Sequence, residues 1–366
     1  MPFKTLQWNC RAISTARDLL IQHLANNNYT VVALQSLKTT FKKLPVLPGF
    51  HYPPYTKADN NGDVKVATYV AVGTVARYHT LPCLLEEGYR VAVSIAANNH
   101  QEVTVLNYYA PQGNRSFTWI SRIPDGWLVI GDFNCRDALW EDEHPHANER
   151  IQGELEDADI VLMNDGSHTH IPDCANHSTS AIDLSFISPD LAGRSEWSVL
   201  DDSLSSDHLP ITITIHVSPC IFEPKRPDKF NFKKADWMKF QNILHQADPP
   251  NMNEPIDMIN THITETILHA ASQSIPILPN SKGRRGNPWW NDDCRKARVE
   301  KVHAMKMYKR MKHRRCTLKE IEKTHKTMVE AKAACKKTIA AAKLEFWRKS
   351  TETRPGEITS AWKRQR

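Results

Sequence analysis

Trp127-Leu128-Val129-Ile130-Gly131-Asp132-Phe133-Asn134 is the stretch on which the fold of this chain turns. Four apolar residues read as a buried strand, and the strand runs straight into a carboxylate and an amide two positions apart. Such an ending brings both side chains to one edge of a sheet, where α/β proteins commonly bind their ligands. Gly, Asp and Asn are also favoured turn residues, so the tetrapeptide alone reads equally well as a surface turn.

Working outward, four further strand-associated stretches carry polar groups. Ser205-Ser206-Asp207-His208-Leu209-Pro210 precedes an apolar run. Ionised Asp is a hard oxygen ligand suited to Mg²⁺, and His can donate a proton or hydrogen bond to a phosphate oxygen; the same residues would also make a helix-capping turn. In Ser180-Ala181-Ile182-Asp183-Leu184-Ser185-Phe186 an Asp interrupts an apolar strand. A buried carboxylate needs a partner, which an imidazole such as His208 would supply, and a satisfied structural Asp is the plain alternative. Trp8-Asn9-Cys10-Arg11 and Val31-Val32-Ala33-Leu34-Gln35-Ser36 close the first two strands and are weak signals singly.

The spacing predicts strands at 3–8, 31–34, 66–72, 90–95, 103–108, 127–130, 181–187 and 211–217, with helices at 15–26 and 150–158, as in a mixed α/β fold. After Pro219 prolines punctuate short segments and strand-like alternation stops. Residues 292–349 are nearly free of Gly and Pro and dense in Ala, Lys, Arg, Glu and Met, which predicts one long helix or a helical hairpin, with a thin apolar stripe and much of its surface in solvent. Cutting after Val217 exposes a charge asymmetry. Residues 1–217 hold 15 Lys+Arg against 25 Asp+Glu, a net −10; residues 218–366 hold 32 against 16, a net +16. We therefore expect a first domain at 1–217 and a separable, Pro-rich then basic helical segment at 218–366.

The eight cysteines are scattered singly, with no C-x-x-C pair or zinc spacing, so reduced thiols and no disulfide-linked partner are expected. No apolar run approaches the roughly 18 residues of a membrane span, and the first residues show no signal-peptide pattern. The expectation is a soluble intracellular protein, nuclear or cytoplasmic, without a membrane partner.

Taken in order, the strand-end Asn9, Leu34-Gln35, Asn107-Tyr108-Tyr109-Ala110-Pro111, GDFN at 131–134, S-x-I-D-L at 180–184 and S-D-H-x-P-I at 206–211 resemble the endonuclease/exonuclease/phosphatase superfamily. Within it the set is most similar to the apurinic-endonuclease-like domain of non-LTR (LINE-type) retrotransposon polyproteins. The resemblance covers about residues 3–217. It implies a four-layer α/β sandwich, two packed mixed sheets flanked by helices, followed here by the basic and mainly helical C-terminal segment. It also implies a Mg²⁺-dependent phosphodiesterase, with Mn²⁺ as a substitute, that nicks DNA to leave a 3′-hydroxyl. The stretches at 230–237, 288–294 and 341–347 look like the linker before the reverse transcriptase, and the chain ends before any polymerase segment, which reads as a truncated open reading frame.

By that resemblance Asp132 polarises the attacking water, Asn134 holds it and a phosphate oxygen, and Tyr109 contacts the phosphate. His208, oriented by Asp183, hydrogen-bonds the phosphate, while Asp207 and Asn9 belong to the metal environment. Arg115 and Thr169 are the candidates for nucleic-acid contact in the first domain. Lys309, Arg310, Lys312, Arg314 and Arg315 are those in the second, where they could equally be a solvated helix face or an import signal.

Ser36 departs from the pattern, which has Glu after Leu-Gln as the principal metal ligand. A neutral hydroxyl removes a charge and a strong donor from a hard-cation site. Residues 59–67 also lack the glycine-rich run such domains often carry. Either the copy has decayed, or the site works with Asp207 and waters. The leading function is thus a DNA endonuclease weakened at Ser36. The rival is a catalytically silent nucleic-acid-binding remnant using the same cleft and the basic segment, with DNA and the element's own RNA as partners. A lipid or inositol phosphatase is disfavoured by the linker motifs after Pro219.

Overall fold

The computed structural model describes all residues except 1, 80–87, 99–100, 114–115, 142–148, 157, 176, 222–229, 252, 278–285, 315 and 353–366. Packing divides the chain into two compact units, one of residues 1–222 with 284–366 and one of residues 223–283.

The first unit is built on two six-stranded mixed sheets. The first comprises β1 (Phe3–Asn9), β2 (Val31–Thr40), β3 (Tyr55–Ala58), β4 (Asp63–Val70), β11 (Ser195–Val199) and β12 (Ile211–Ile215), in the order β11-β12-β1-β2-β4-β3. The second comprises β5 (Ala76–His79), β6 (Tyr89–Ala96), β7 (Glu102–Tyr109), β8 (Trp127–Asp132), β9 (Val161–Leu162) and β10 (Asp183–Ile187), in the order β5-β6-β7-β8-β10-β9. Helix α1 (Ile13–Ala25) connects β1 to β2, α2 (Glu149–Glu156) follows β8, and the short α3 (Pro189–Ala192) follows β10.

The two-residue period of the strands explains the layering. In β2, Val31 and Ala33 join Val66, Val93, Val105, Leu128 and Ile213 in the core between the sheets. Val32 and Leu34 turn the other way, into a core with Leu19, Leu20 and Leu24 of α1. Outside the second sheet, Leu106, Val129 and Phe186 pack with Phe117, Trp140 and Ile151 of α2. Both faces of the central strands are covered, hence their near-continuous apolar sequence and the four-layer sandwich. Gly131 is required by β7: a Cβ there would lie 1.9 Å from the Tyr108 carbonyl oxygen.

Several bounds differ from the sequence expectation. β2 continues to Thr40 through an irregularity between Gln35 and Thr39, and β3, β5, β9 and β11 were not anticipated. All four are sheet-edge strands, whose side chains are only partly buried and so show little hydrophobic alternation.

Residues 292–352 form a helical hairpin, α6 (Asp292–His313) and α7 (Leu318–Glu352), numbered after α4 (Trp237–Gln246) and α5 (Ile256–Ser274) of the second unit. The expected single boundary after residue 217 differs from the packing, because the hairpin lies on the two-sheet core. Cys294, Cys335, Ile339 and Ala342 enter the α1 core, and Met305, Tyr308 and Met328 enclose Ile171 and Leu209. The charge reversal is complementarity within one unit, with ion pairs Lys306–Asp201 and Lys332–Asp173 joining the basic helices to acidic loops and Lys343–Asp18 joining them to α1. In the second unit Asp236 caps α4 by accepting from the Lys239 amide, and Phe230 bridges to Ile277. No helix among the described residues is long and apolar enough to cross a membrane.

At the base of the hairpin, Asp202 pairs with Arg298 at 2.6 Å and with Lys301 at 2.6 Å. Lys301 is 2% exposed, and its ammonium lies off the line of a hydrogen bond, so that contact is chiefly coulombic. Burial works against the Asp202 carboxylate, but Lys301 and Arg298 outweigh it and bring its pKa down to about 2. Asp202→Asn leaves Lys301 buried without its counter-charge and is expected to cost about 3–5 kcal/mol, a drop of roughly 10 °C in melting temperature. Because the folded pKa lies below the unfolded one, this contribution is complete above about pH 4 and lost as pH falls through about 2. Thermal melts of both proteins across that window check it: the gap between them should close in acid.

Candidate active site

The residues singled out along some 200 positions converge at one edge of the sandwich. Parallel register sets Asn9 beside Gln35 and Tyr109 beside Asp132, and antiparallel register sets Asp183 opposite Asp132. Asp207 and His208 come from the loop before β12, which Trp8 and Asn9 hold: Trp8 Nε1 donates to the His208 carbonyl at 3.0 Å and Ser206 Oγ to the Asn9 carbonyl at 2.8 Å.

Asp132 is fully enclosed and accepts three hydrogen bonds. Asn9 Nδ2 (2.7 Å) and Asn134 Nδ2 (3.0 Å) reach Oδ2, and the Asn134 amide (3.0 Å) reaches Oδ1. Asn134 adopts a left-handed φ of 47°, which Asn tolerates better than most residues and which turns its side chain back onto the carboxylate. Burial raises the Asp132 pKa; His208 pulls it down and Asp183 adds to the rise.

Asp183 Oδ2 accepts from His208 Nδ1 at 2.8 Å and from Thr169 Oγ1 at 2.7 Å, and Oδ1 accepts from Gln7 Nε2 at 3.1 Å. Burial opposes both charges of the Asp183–His208 pair, but each partner outweighs it for the other: the carboxyl is held below its usual range and the imidazole above. Asp132, Asp183 and His208 offer ligand atoms within 4.8 Å of one another, and so do His170, Asp207 and His208. Behind them Gln7, Gln35 and Asn107 form a buried amide chain, with Gln7 Nε2 to Gln35 Oε1 at 2.9 Å and Gln35 Nε2 to Asn107 Oδ1 at 2.7 Å.

Ser36 sits at the irregularity in β2 with φ 54° and shares a side-chain hydrogen bond with Tyr109. Asp207 belongs to the other side of the cleft, where it meets Arg11 Nη1 at 2.9 Å and His170 Nε2 at 3.6 Å. Its pKa is held well below the carboxylate range, because His170, His208 and Arg11 outweigh burial. Of the residues expected to hold a divalent cation, Asp207 brings one ionised carboxylate, Asn9 an amide oxygen and Ser36 a hydroxyl. These oxygens are of the right kind for a hard ion, though with less charge than two carboxylates would give.

The nucleic-acid candidates fare unevenly. Thr169 is fully buried and spends its hydroxyl on Asp183, so it faces the site's interior and not a DNA surface. Lys312 donates to the carbonyls of Ala175 and His177, which makes it a loop anchor. Lys309 is half-buried, and Arg310 and Arg314 are exposed. Arg115 and Arg315 lie outside the described residues. Sequence reading assigned no role to Gln7, His170 or Arg11. Gln7 had a signal, a polar side chain at an inward position of an apolar strand. His170 had none, since only the bridges from 170 to 180 and 208 bring it to the site.

Fold and site together make a two-sheet α/β sandwich with a cluster of carboxylates, amides and imidazoles at one edge. The family described as endonuclease-reverse transcriptase matches residues 103–212, which include Asp132, Asn134, Asp183, Asp207 and His208. No curated protein matches the chain. Among solved structures the chain is similar to the endonuclease domain of TRAS1, a telomere-specific non-LTR retrotransposon, at 20% identity over 59% of this chain and 99% of that one, TM-score 0.48. It is similar to the Xenopus laevis APE2 catalytic domain at 16% over 61% and 94%, TM-score 0.45. It is also similar to the AP endonuclease LMAP from Leishmania major at 15% over 58% and 87%, TM-score 0.47.

Proposed function

We propose that the first unit is a Mg²⁺-dependent DNA endonuclease that nicks one strand to leave a 3′-hydroxyl, with Mn²⁺ able to substitute, and that its activity is weakened by Ser36. The observation that carries the reading is the buried Asp183–His208 pair set beside Asp132 with its two Asn donors. Phosphodiester hydrolysis needs an activated, aligned water and neutralisation of charge on the phosphorane and the leaving oxygen. Asp132, whose carboxyl burial raises, takes the water's proton, and Asn134 holds the water in line. His208, kept protonated by Asp183, donates to a phosphate oxygen, and Tyr109 donates to another. Asp207 and Asn9 would hold the divalent ion, which would supply the remaining positive charge.

A second reading, a silent nucleic-acid-binding remnant, is favoured by Ser36 alone. Supercoiled plasmid incubated with and without Mg²⁺ separates the two. Slow, Mg²⁺-dependent conversion to open circles whose nicks a DNA polymerase can extend is the expected result. Binding with no nicking in either metal supports the remnant.

A further inference from the structure

We propose that Arg11 is a substrate-phosphate contact of this site and that the hairpin α6–α7 holds it in place through Asp173. The inference rests on the nuclease reading above and adds to it a specific cation and a positioning role for the C-terminal helices.

Arg11 follows the last strand residue of β1 but one, and its backbone is left-handed, φ 55°. That conformation is strained for a non-Gly residue, and such strain persists where surrounding contacts impose it. Here the Arg11 amide donates to Asn9 Oδ1 at 2.9 Å, fixing the turn on a site residue. The guanidinium uses only Nη1, which reaches Asp207 at 2.9 Å and Asp173 at 2.8 Å. Among the described residues, Nε and Nη2 have no partner. They form the fork that binds two phosphate oxygens side by side. The side chain is 53% exposed, so a strand lying across the edge can reach it. The cleft holds Asp132, Asp183 and Asp207 and must admit a polyanion, so a cation anchored to Asp207 meets a clear electrostatic need.

Asp173 is in turn held from α7. Lys332 Nζ pairs with its Oδ1 at 2.9 Å and His325 Nε2 meets its carbonyl at 2.6 Å. An isolated exposed ion pair would contribute little, but this loop is pinned at several points. Lys312 of α6 binds the carbonyls of Ala175 and His177. Ile171 and Leu209, the latter next to His208, are packed under Met305, Tyr308 and Met328. The relay Lys332–Asp173–Arg11–Asp207 thus runs from the second helix of the hairpin to the proposed metal ligand.

The test measures binding of the full chain to a short DNA duplex in EDTA, over a range of salt, so that it does not depend on nicking. Arg11→Ala is expected to weaken binding about tenfold and to lower the salt slope by about one. Arg11→Lys should keep the slope and lose part of the affinity, since it keeps the charge and loses the fork. Lys332→Met should weaken binding roughly threefold in the wild type. In the Arg11→Ala background it should do no more than Lys337→Met, which removes the same charge from an exposed position of α7. Melting temperatures of the variants identify any loss of fold. Wild-type affinity and slope in a folded Arg11→Ala protein would overturn the phosphate contact. Equal Lys332→Met effects in both backgrounds would overturn the positioning role. Failure of the wild type to bind DNA at all would instead remove the nuclease reading on which both depend.

Discussion

Asp132→Ala and His208→Ala are each expected to lower Mg²⁺-dependent nicking by about 10²- to 10⁴-fold, the usual worth of a positioned acid or base. The two losses should not multiply, because both groups act on the same transition state. Asp132 is the acceptor at which Asn9 and Asn134 converge, so removing its carboxylate leaves both amides without their shared partner and the water without a base. His208 Nδ1 donates to Asp183 Oδ2 at 2.8 Å, and its loss leaves a buried carboxylate held by Thr169 and Gln7. His208→Ala therefore also carries a stability cost, and His208→Gln, which can still donate to Asp183, serves as the companion variant. Initial nicking rates under matched folding checks decide the matter. Full activity in either folded Ala variant would remove that residue from the chemistry.

Ser36→Glu carries the second large effect, in the opposite direction. Ser36 already occupies a left-handed backbone position with a Cβ, so Glu meets no new backbone restriction there. Its carboxylate would add a charge to a site in which Asp207 stands as the ionised metal donor. We expect the Mg²⁺ concentration for half-maximal nicking to fall about tenfold or more, equal to ~1.4 kcal/mol of ion binding. The Tyr109 contact made by the Ser36 hydroxyl is lost, so kcat is the quantity to watch beside the metal requirement. A wild type that cleaves strongly, with Ser36→Glu changing neither rate nor Mg²⁺ dependence, would show that Ser36 is not a lost ligand. A Ser36→Glu protein that binds DNA normally and stays inert would place the defect elsewhere and make the silent binder the better description.

Several of the clustered residues could be read in the chain because they end or begin a strand. Asp132 closes β8, Asn9 closes β1 and Asp183 opens β10, and a strand's direction is set by local apolar patterning that survives in one dimension. Thr169 was less legible, for the reason that made Asp183 ambiguous. A hydroxyl that satisfies a buried carboxylate is indistinguishable in sequence from one on a surface turn. The basic run of α6 read equally as phosphate-binding, as a solvated helix face or as an import signal, and in the structure Lys312 donates to loop carbonyls. Composition counts charges and cannot show which of them are already paired.

By itself, then, the sequence determined the two-sheet core, the helices that cover it, and the order in which polar residues reach the sheet edge. These follow from two-residue and 3.6-residue periods and from the residues that end each run. Tertiary structure alone decided that His170 meets Asp207, that Gln7, Gln35 and Asn107 link the sheets, and that helices 292–352 lie against residues 171–209. The physical reason is separation along the chain. Arg11 and Asp207 are 196 positions apart and Lys332 and Asp173 are 159 apart, and such pairs form only when the packed core brings their loops together, which no local pattern of residues encodes.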